Sequence, residues 1–325
     1  MRAAVRERYG TPTKVVEIRE LERPVPADDE VLVRVRAAST NIADWYDVTG
    51  RPKIARFTTG LRRPKELRLG VDYAGVVEAV GKDVTDFAPG DEVFGGRTGA
   101  FADYVVAKAD RAIVHKPENV PFEDAAAAPV AAITALEAIR DRGGLVEGQK
   151  VLVHGASGGV GTYAVQVAKA LGASRVTAVC SAPNVEIARS LGADRVVDYG
   201  DEDCTVDDDR YDLLVDIAGT RPFRQLRRVL TPAATVVVVG GPRKNRLLGP
   251  LGHVVRTKAG ALVTSQSATF FVARLDKAKL ETIRDLLARG ELRSVIDSTF
   301  GLEDVARALE HQGSGHPRGK IVVAV

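Results

Sequence analysis

Three evenly spaced glycines carry the clearest chemical signal in this sequence. Gly155, Gly158 and Gly161 follow an apolar run and open a stretch with the periodicity of an amphipathic helix. Glycine here permits a tight turn, lets the backbone approach a diphosphate and allows the helix to pack on the strand. Free N–H groups and the helix dipole favour a phosphate at that point. The pattern could mark only a helix start, but the strand before it and the helix after it favour a dinucleotide site. The predicted contacts are Gly155, Ser157, Gly158, Gly159, Val160 and Gly161.

Ser181 occupies the position expected to contact the adenosine ribose. An NAD site usually has a carboxylate about 20 residues past the loop, which accepts a hydrogen bond from the ribose 2′-OH. A hydroxyl there does not repel a 2′-phosphate and can donate to it. We therefore predict NADPH as the cofactor, with Ser181 and Asn184 among its contacts. The alternative is that both residues only cap the next helix.

Strands and helices alternate through the region that contains this loop. This alternation predicts a parallel sheet with right-handed crossovers. The predicted strands are 150–154, 175–180, 195–198, 212–216 and 235–239, and the predicted helices are 160–171 and 184–191.

The regions on either side have a different pattern. Before residue 121, short β runs separated by Gly and Pro indicate a compact β-rich domain. An Ala-rich helix is predicted at 122–140. After residue 264 the chain is expected to return to the β-rich domain. The predicted elements of that return are a helix at 276–289, a strand near 295, a helix at 302–310 and a strand at 320–325.

Composition limits the class of protein. A chain of 325 residues favours two domains. The formal charge of +3 is far below the charge expected of a dedicated nucleic-acid binder. With only Cys180 and Cys204, a four-thiolate zinc site is excluded. Residues 1–9 lack the apolar stretch of a secretory signal, and no run is long enough to span a bilayer. We expect a cytoplasmic enzyme with no nucleic-acid or membrane partner.

Five segments, in order along the chain, resemble the medium-chain dehydrogenase/reductase superfamily, and within it the quinone oxidoreductase branch. They are residues 70–81, 89–94, 155–161, 191–199 and 315–320. The resemblance covers almost the whole chain. It implies an α/β fold in which a Rossmann domain with a doubly wound parallel sheet is joined to a GroES-like β-rich domain. It also implies an active-site cleft at their junction and, commonly, a homodimer. We place the GroES-like catalytic domain at 1–121 and 268–325, and the Rossmann domain at 122–267.

The sequence departs from the zinc-dependent members of this superfamily. Those members carry an early Cys, a Gly-His-Glu motif and a four-Cys lobe. Here the corresponding stretches are residues 41–44 and 70–72, without Cys or His, and the lobe is missing. None of the five histidines pairs with a Cys at ligand spacing. We therefore expect no metal, and interpret His154 as a buried core or nicotinamide-side residue.

Hydride transfer without a Lewis acid requires an electron-poor acceptor, such as a quinone or an α,β-unsaturated carbonyl compound. Residues 41–46 resemble the Asn-x-x-Asp segment that lines the quinone reductase cleft. Asn41 and Tyr46 are therefore the candidate catalytic residues, each donating a hydrogen bond or proton to the substrate oxygen. In the alternative interpretation Asn41 and Asp44 cap a helix, and Trp45 and Tyr46 pack. The cap is the favoured interpretation for Asp44.

The resemblance implies further contacts with the cofactor. Thr134 is expected beside the nicotinamide, Tyr199 near the adenosine ribose, and Gly240 and Gly241 on the nicotinamide side. Lys320, which begins the last strand, is also expected to contact the cofactor. A threonine on an Ala-rich helix can instead bond back to a carbonyl, and paired glycines can form only a turn.

Two other functions remain open. One is an NAD(P)-dependent alcohol or ketone dehydrogenase. The other is a non-catalytic NADPH-sensing or RNA-binding module, supported only by residues 51–70, which contain seven basic residues and one acidic residue, Glu66. Such a run most often forms a solvated loop. It could also cover the cleft or bind an acidic partner.

Overall fold

The computed structural model describes residues 1–206, 208–242, 247 and 249–325. The chain divides into two compact units, residues 1–133 with 274–325, and residues 134–273. The strands are β1 (Arg2–Val5), β2 (Glu17–Glu20), β3 (Glu30–Thr40), β4 (Asp72–Val80), β5 (Glu92–Gly96), β6 (Tyr104–Lys108), β7 (Ile113–His115), β8 (Lys150–His154), β9 (Arg175–Cys180), β10 (Arg195–Asp198), β11 (Tyr211–Asp216), β12 (Leu230–Val238), β13 (Ser267–Phe270), β14 (Ile296–Gly301) and β15 (Lys320–Ala324). The α-helices are α1 (Pro12–Val15), α2 (Ile42–Thr49), α3 (Arg56–Thr59), α4 (Phe122–Ala127), α5 (Pro129–Leu136), α6 (Gly159–Ala170), α7 (Val185–Ser190), α8 (Phe223–Leu226), α9 (Leu251–Ala261), α10 (Lys277–Ala288) and α11 (Val305–Ser314).

A parallel sheet lies at the centre of the unit formed by residues 134–273. Its strand order is β10-β9-β8-β11-β12-β13, and these neighbours pair in parallel. Strand β8 comes first along the chain, and the strands that follow it extend the sheet first to one side and then to the other. The order therefore reverses between β8 and β11, and ligands of such sheets bind at the carboxyl ends of the strands at this point. The predicted doubly wound Rossmann sheet is confirmed.

The other unit is rich in antiparallel β structure. Its larger sheet has the order β14-β15-β3-β4-β5-β7, with β6 paired to β3. Strand β3 is buried at most of its positions because it is paired on both sides. The core of the unit includes the buried aromatic side chains of Tyr73 and Phe101. This architecture confirms the predicted combination of a Rossmann domain with a β-rich domain.

The Ala-rich stretch predicted as a single helix at 122–140 is divided. Helix α4 ends at Ala127 and α5 begins at Pro129, whose backbone has no N–H to continue the helical ladder. The N–H of Val130 donates to Asp72 Oδ1 at 3.1 Å, and the carbonyl of Ala126 accepts from Ser39 Oγ at 2.8 Å. These bonds tie the segment to β3 and β4. The first unit therefore extends to residue 133, whereas the sequence placed the boundary at 121.

The second boundary also differs from the predicted one. Strand β13 pairs in parallel with β12 and is therefore part of the Rossmann sheet. This pairing carries the compact unit to residue 273, beyond the boundary predicted at 267. The strand is short, and one side chain of its four is exposed, so it lacks the long apolar run on which the prediction relied.

Helix α2 begins with the cap predicted for Asp44. The Asp44 carboxylate accepts a hydrogen bond from the backbone N–H of Asn41 at 2.7 Å, and the helix ends at Gly50 in the left-handed conformation with φ of 61°. Asp44 is buried, and burial raises its pKa to about 7; the neighbouring Asp72 charge acts in the same direction, whereas the Asn41 N–H opposes it. The folded protein therefore favours the protonated form of this carboxyl group.

This burial predicts a pH dependence of stability. An unfolded Asp ionises near pH 4, so the stabilisation from neutral Asp44 is complete below that pH and is lost as pH rises toward 7. Asp44→Asn, which keeps an oxygen for the Asn41 N–H, should weaken the decline in unfolding free energy between pH 4 and 7 by on the order of a few kcal/mol. Urea unfolding at several pH values between 4 and 7 measures this change in the unfolding free energy. Asp110→Asn, at an exposed position, is the control, and identical pH profiles for Asp44→Asn and the wild type would contradict the prediction.

Candidate functional site

The turn after β8 explains each of the three spaced glycines. Gly155 has φ of 97°, a conformation that favours glycine. A Cβ on Gly161 would collide with the carbonyl oxygen of Gly155, so the start of α6 packs directly on the turn. A Cβ on Gly158 would meet no atom within 4 Å. The backbone at Gly158 therefore faces open space that a ligand can enter.

Helix α6 begins at this open space. Gly158 is its N-cap, and within the described chain no side chain caps the helix and no acidic residue lies in its first turn. The first backbone N–H groups of a helix have no partner within the helix. The N–H groups of Gly159 and Val160 therefore provide a positive edge at the carboxyl end of β8, next to Ser157. Helix starts of this kind bind phosphate groups, and contact of residues 155–161 with a dinucleotide diphosphate stays a prediction.

Ser181 and Asn184 lie together just after β9. The Asn184 amide donates to Ser181 Oγ at 2.8 Å, which leaves the serine hydroxyl hydrogen available to donate. Asn184 is buried, and its Oδ1 has no hydrogen-bond partner among the described residues. The backbone N–H of Tyr199 bonds the Cys180 carbonyl at 3.0 Å, and the Tyr199 side chain is 56% exposed. These three side chains lie at the ends of the neighbouring strands β9 and β10. Their contact with an adenosine ribose stays a prediction.

The remaining predicted cofactor residues of this unit have different surroundings. Thr134 lies on α5 and is buried. Gly240 and Gly241 follow β12, where a Cβ on Gly240 would collide with the Ile217 carbonyl oxygen and a Cβ on Gly241 would lie 2.8 Å from Pro250 Cβ. Close packing thus requires both glycines. Contact of these three residues with a cofactor stays a prediction.

A buried carboxylate that the sequence analysis missed lies at the end of β11, beside the end of β8. Asp216 ends β11 and is 0% exposed. Its Oδ1 is 2.8 Å from His154 Nδ1 and its Oδ2 is 2.7 Å from His253 Nε2. The N–H of Gly219 also donates to Oδ1, at 2.9 Å. Burial acts to raise the pKa of Asp216, but the hydrogen bonds from His154 and His253 outweigh it and lower the pKa to about 2. The available signal was a carboxylate that directly follows the apolar residues 213–215 of β11.

Asn41 and Lys320, predicted for substrate and cofactor respectively, lie in a second buried network in the other unit. Lys320 Nζ donates to Asn41 Oδ1 at 2.7 Å and to Asp72 Oδ2 at 3.3 Å. The Asn41 amide donates to Asp72 Oδ2 at 2.9 Å. Burial raises the pKa of Asp72 and lowers that of Lys320, since it penalises both charges. Both side chains are therefore engaged within the protein, and their contact with a ligand stays a prediction.

Tyr46 and Trp45 are neighbours on α2. Their ring centroids lie 5.4 Å apart. A Cβ on Gly313 would collide with Trp45 Nε1, so the Trp45 ring packs directly on α11. Packing is the interpretation that this contact favours for Trp45. Tyr46 is partly exposed, and its role as a hydrogen-bond donor to substrate stays a prediction.

The positions that hold zinc in the zinc-dependent members are occupied differently here. Asn41 and Asp72 bond each other and Lys320. In the part of the chain that the structure describes, no group of three or more His, Cys, Asp or Glu side chains is placed to hold a metal ion. The residues present therefore do not fit a catalytic zinc site. In that same part, no helix combines the length and apolar character needed to cross a bilayer.

Comparison with known proteins gives consistent matches along the chain. Residues 27–118 match the alcohol dehydrogenase GroES-like domain, and residues 191–323 match the family described as zinc-binding dehydrogenase. The chain is 35% identical to the mitochondrial NAD(P)H oxidoreductase RTN4IP1 of Mus musculus, over 91% of this chain and 82% of that protein. It is 32% identical to the chloroplastic quinone-oxidoreductase QR1 of Triphysaria versicolor, over 99% and 98%. The quinone oxidoreductase structure from Coxiella burnetii superposes with a TM-score of 0.84 at 28% identity, covering 100% of this chain and 99% of that one.

The open space over Gly158 predicts a variant that loses ligand binding without losing stability. Gly158→Ala adds a methyl group with no protein atom within 4 Å. The backbone φ at this position is −82°, a value that alanine adopts without strain. The methyl group would, however, occupy the approach to the N–H groups of α6. We expect affinity for a reduced nicotinamide dinucleotide to fall about tenfold or more, with an unchanged melting temperature, in fluorescence titration and thermal unfolding. Gly301→Ala, also in open space, is the control. Unaltered affinity in Gly158→Ala would contradict the assignment of the loop.

Proposed function

We propose that this chain, which belongs to the medium-chain dehydrogenase/reductase superfamily and to its quinone oxidoreductase-like branch, transfers a hydride from NADPH to a quinone or an α,β-unsaturated carbonyl compound. It is an oxidoreductase of the medium-chain type. Beyond this activity, we propose NADPH as the reductant and an electron-poor carbonyl compound or quinone as the acceptor.

The observation that carries the proposal is the open backbone cradle at Gly158. It lies at the end of β8, where the strand order of the parallel sheet reverses. A diphosphate there would accept from the N–H groups of Gly159 and Val160 and interact with the positive end of the α6 dipole. The residues present therefore fit a dinucleotide.

Ser181 supports NADPH over NADH. Its hydroxyl accepts from Asn184 and keeps its own proton for donation, and a 2′-phosphate has strong acceptor oxygens. The buried, unpartnered Asn184 Oδ1 beside it can accept from a ribose hydroxyl. We assign Ser181, Asn184 and Tyr199 to the adenosine half of the cofactor.

The bound cofactor would supply the hydride, and the protein supplies binding and positioning. The chain offers no Lewis-acid site among its described residues, so the acceptor must itself be electron-poor. We assign Tyr46 as a hydrogen-bond donor to the acceptor oxygen. Asn41 is a weaker candidate because its amide already bonds Asp72 and Lys320.

A homodimer and a cytoplasmic location also stay predictions, and the names of two relatives place them in the mitochondrion and the chloroplast.

Turnover with a panel of acceptors tests this function. We expect purified protein to oxidise NADPH in the presence of benzoquinones or enones, followed by nicotinamide absorbance, and to act poorly on simple alcohols in the reverse direction. The physical reason is that the described residues provide no group to polarise an unactivated carbonyl. Chelator-sensitive turnover of simple alcohols would favour an alcohol dehydrogenase. Salt-sensitive RNA binding that NADPH does not affect, without reductase activity, would favour the non-catalytic module.

The choice between NADPH and NADH is tested at Ser181. Ser181→Asp places a carboxylate where the 2′-phosphate is expected, and like charges at this separation should weaken NADPH binding about tenfold in partly exposed surroundings. NADH, which can donate its 2′-OH to the carboxylate, should bind at least as well as to the wild type. Titration of both nucleotides measures the preference, and Ser190→Asp, which adds the same charge at the exposed last residue of α7, is the control. An unchanged ratio of affinities would contradict the role of Ser181.

A further inference from the structure

We propose that Thr220, His154 and Asp216 form a proton relay that donates the proton required after hydride transfer, with His253 positioning Asp216. This inference rests on the proposed function. It adds to it a proton donor in the Rossmann unit that the sequence analysis did not identify.

The geometry is that of a hydroxyl, an imidazole and a carboxylate in series. Thr220 Oγ1 lies 3.2 Å from His154 Nε2, and His154 Nδ1 lies 2.8 Å from Asp216 Oδ1. A carboxylate at Nδ1 requires that this nitrogen carry a proton, which directs Nε2 toward the hydroxyl. This is the arrangement in which an oriented imidazole exchanges protons with a hydroxyl group.

The three side chains of the relay become more exposed from Asp216 through His154 to Thr220, so the end that must reach a ligand is the exposed one. Asp216 is fully buried and His154 is buried, whereas Thr220 is exposed. The low pKa of Asp216 keeps it ionised, so it stabilises a protonated imidazole without taking up the proton itself. The hydroxyl of Thr220 is the one member of the series that a ligand can reach.

The second imidazole fixes the carboxylate. His253 Nε2 donates to Asp216 Oδ2 at 2.7 Å, and the Gly219 N–H donates to Oδ1. Gly219 has φ of 61°, and a Cβ there would lie 2.5 Å from Gly241 Cα and 3.2 Å from His253 Cδ2. The loop that carries Thr220 is thus packed between the end of β12 and α9, so Asp216 and His253 are positioning residues.

The place of the relay in the sheet points to the nicotinamide half of the cofactor. His154 ends β8 and immediately precedes Gly155, and Asp216 ends β11. Ser181 and Tyr199, assigned to the adenosine ribose, lie on the β9 and β10 side. A dinucleotide that crosses the reversal point with its diphosphate at Gly158 places its other half on the β11 side, where Thr220 lies.

The proton balance is complete with the proposed reductant. Bound reduced nicotinamide would supply the hydride to the acceptor and be oxidised, and Thr220 Oγ1 would supply the proton to the acceptor oxygen. Thr220 regains a proton from Nε2 of protonated His154. The imidazole becomes neutral, keeps its Nδ1 proton on Asp216, and takes up a proton from water after product leaves.

Three variants separate the relay from a structural role. Thr220→Val removes the hydroxyl at nearly constant shape and should lower kcat about 10²-fold, with an unchanged Kd for NADPH, whereas Thr220→Ser should recover most of the rate. Because the members act as a unit, Thr220→Val combined with His154→Gln should be no slower than the slower single variant. Thr264→Val, which removes a hydroxyl that bonds the Ala261 carbonyl, is the matched control.

A second readout does not depend on turnover. The His154 ring resonances, identified by their loss in His154→Gln, should shift when NADP⁺ is added, and should shift less with 2′-phosphoadenosine diphosphoribose, the same molecule without nicotinamide. Equal shifts with NADP⁺ and with the molecule that lacks nicotinamide, wild-type kcat in Thr220→Val, or equal losses in Thr220→Val and Thr220→Ser would each overturn the relay alone. Absence of NADPH binding in the wild type would overturn the proposed function and the relay together.

Discussion

The direct contact between the start of α6 and the turn after β8 is the constraint on which the site depends. Gly155 turns the chain in a conformation that favours glycine, and Gly161 lets the helix backbone touch that turn. This contact aims the first N–H groups of α6 at the carboxyl edge of the sheet and leaves the space over Gly158 open. Anion binding there needs no charged side chain, because oriented backbone dipoles provide it. The reversal of strand order beside β8 then gives a dinucleotide room to extend along the edge in both directions.

Each unit contains a fully buried carboxylate that the surrounding structure compensates in a different way. Asp216 accepts from two imidazoles and a backbone N–H. Asp72 accepts from Asn41, Lys320 and the N–H of Val130. Removing one partner of a buried charge typically costs about 3–5 kcal/mol, because the other is left uncompensated. Such groups fix the segments that bond them, and at Asp216 those segments are the end of β8, the loop after β11 and helix α9.

Features whose interacting residues are close together in the sequence were predicted, whereas features whose partners are far apart in the sequence were not. Strand β8 and the glycine turn were predicted at their observed positions because their signals lie within a dozen neighbouring residues. The Asp216 site was missed because its two imidazoles come from residues 62 and 37 positions away, and nothing local marks them as partners. Lys320 bonds Asn41 across 279 positions and Asp72 across 248, so local sequence gave no sign of these partners, and its contact with a cofactor stays a prediction. The break at Pro129 in the predicted helix could have been expected locally, because proline has no backbone N–H. The extension of the β-rich unit to residue 133 instead depends on hydrogen bonds to the distant strands β3 and β4.

A crystal structure of the protein with NADP⁺ bound would show whether the start of α6 holds the diphosphate. We expect diphosphate oxygens within hydrogen-bond distance of the N–H groups of Gly159 and Val160, with the 2′-phosphate at Ser181. A dinucleotide bound elsewhere on the sheet edge, or in a pose that leaves the N–H groups of α6 without a phosphate, would contradict it.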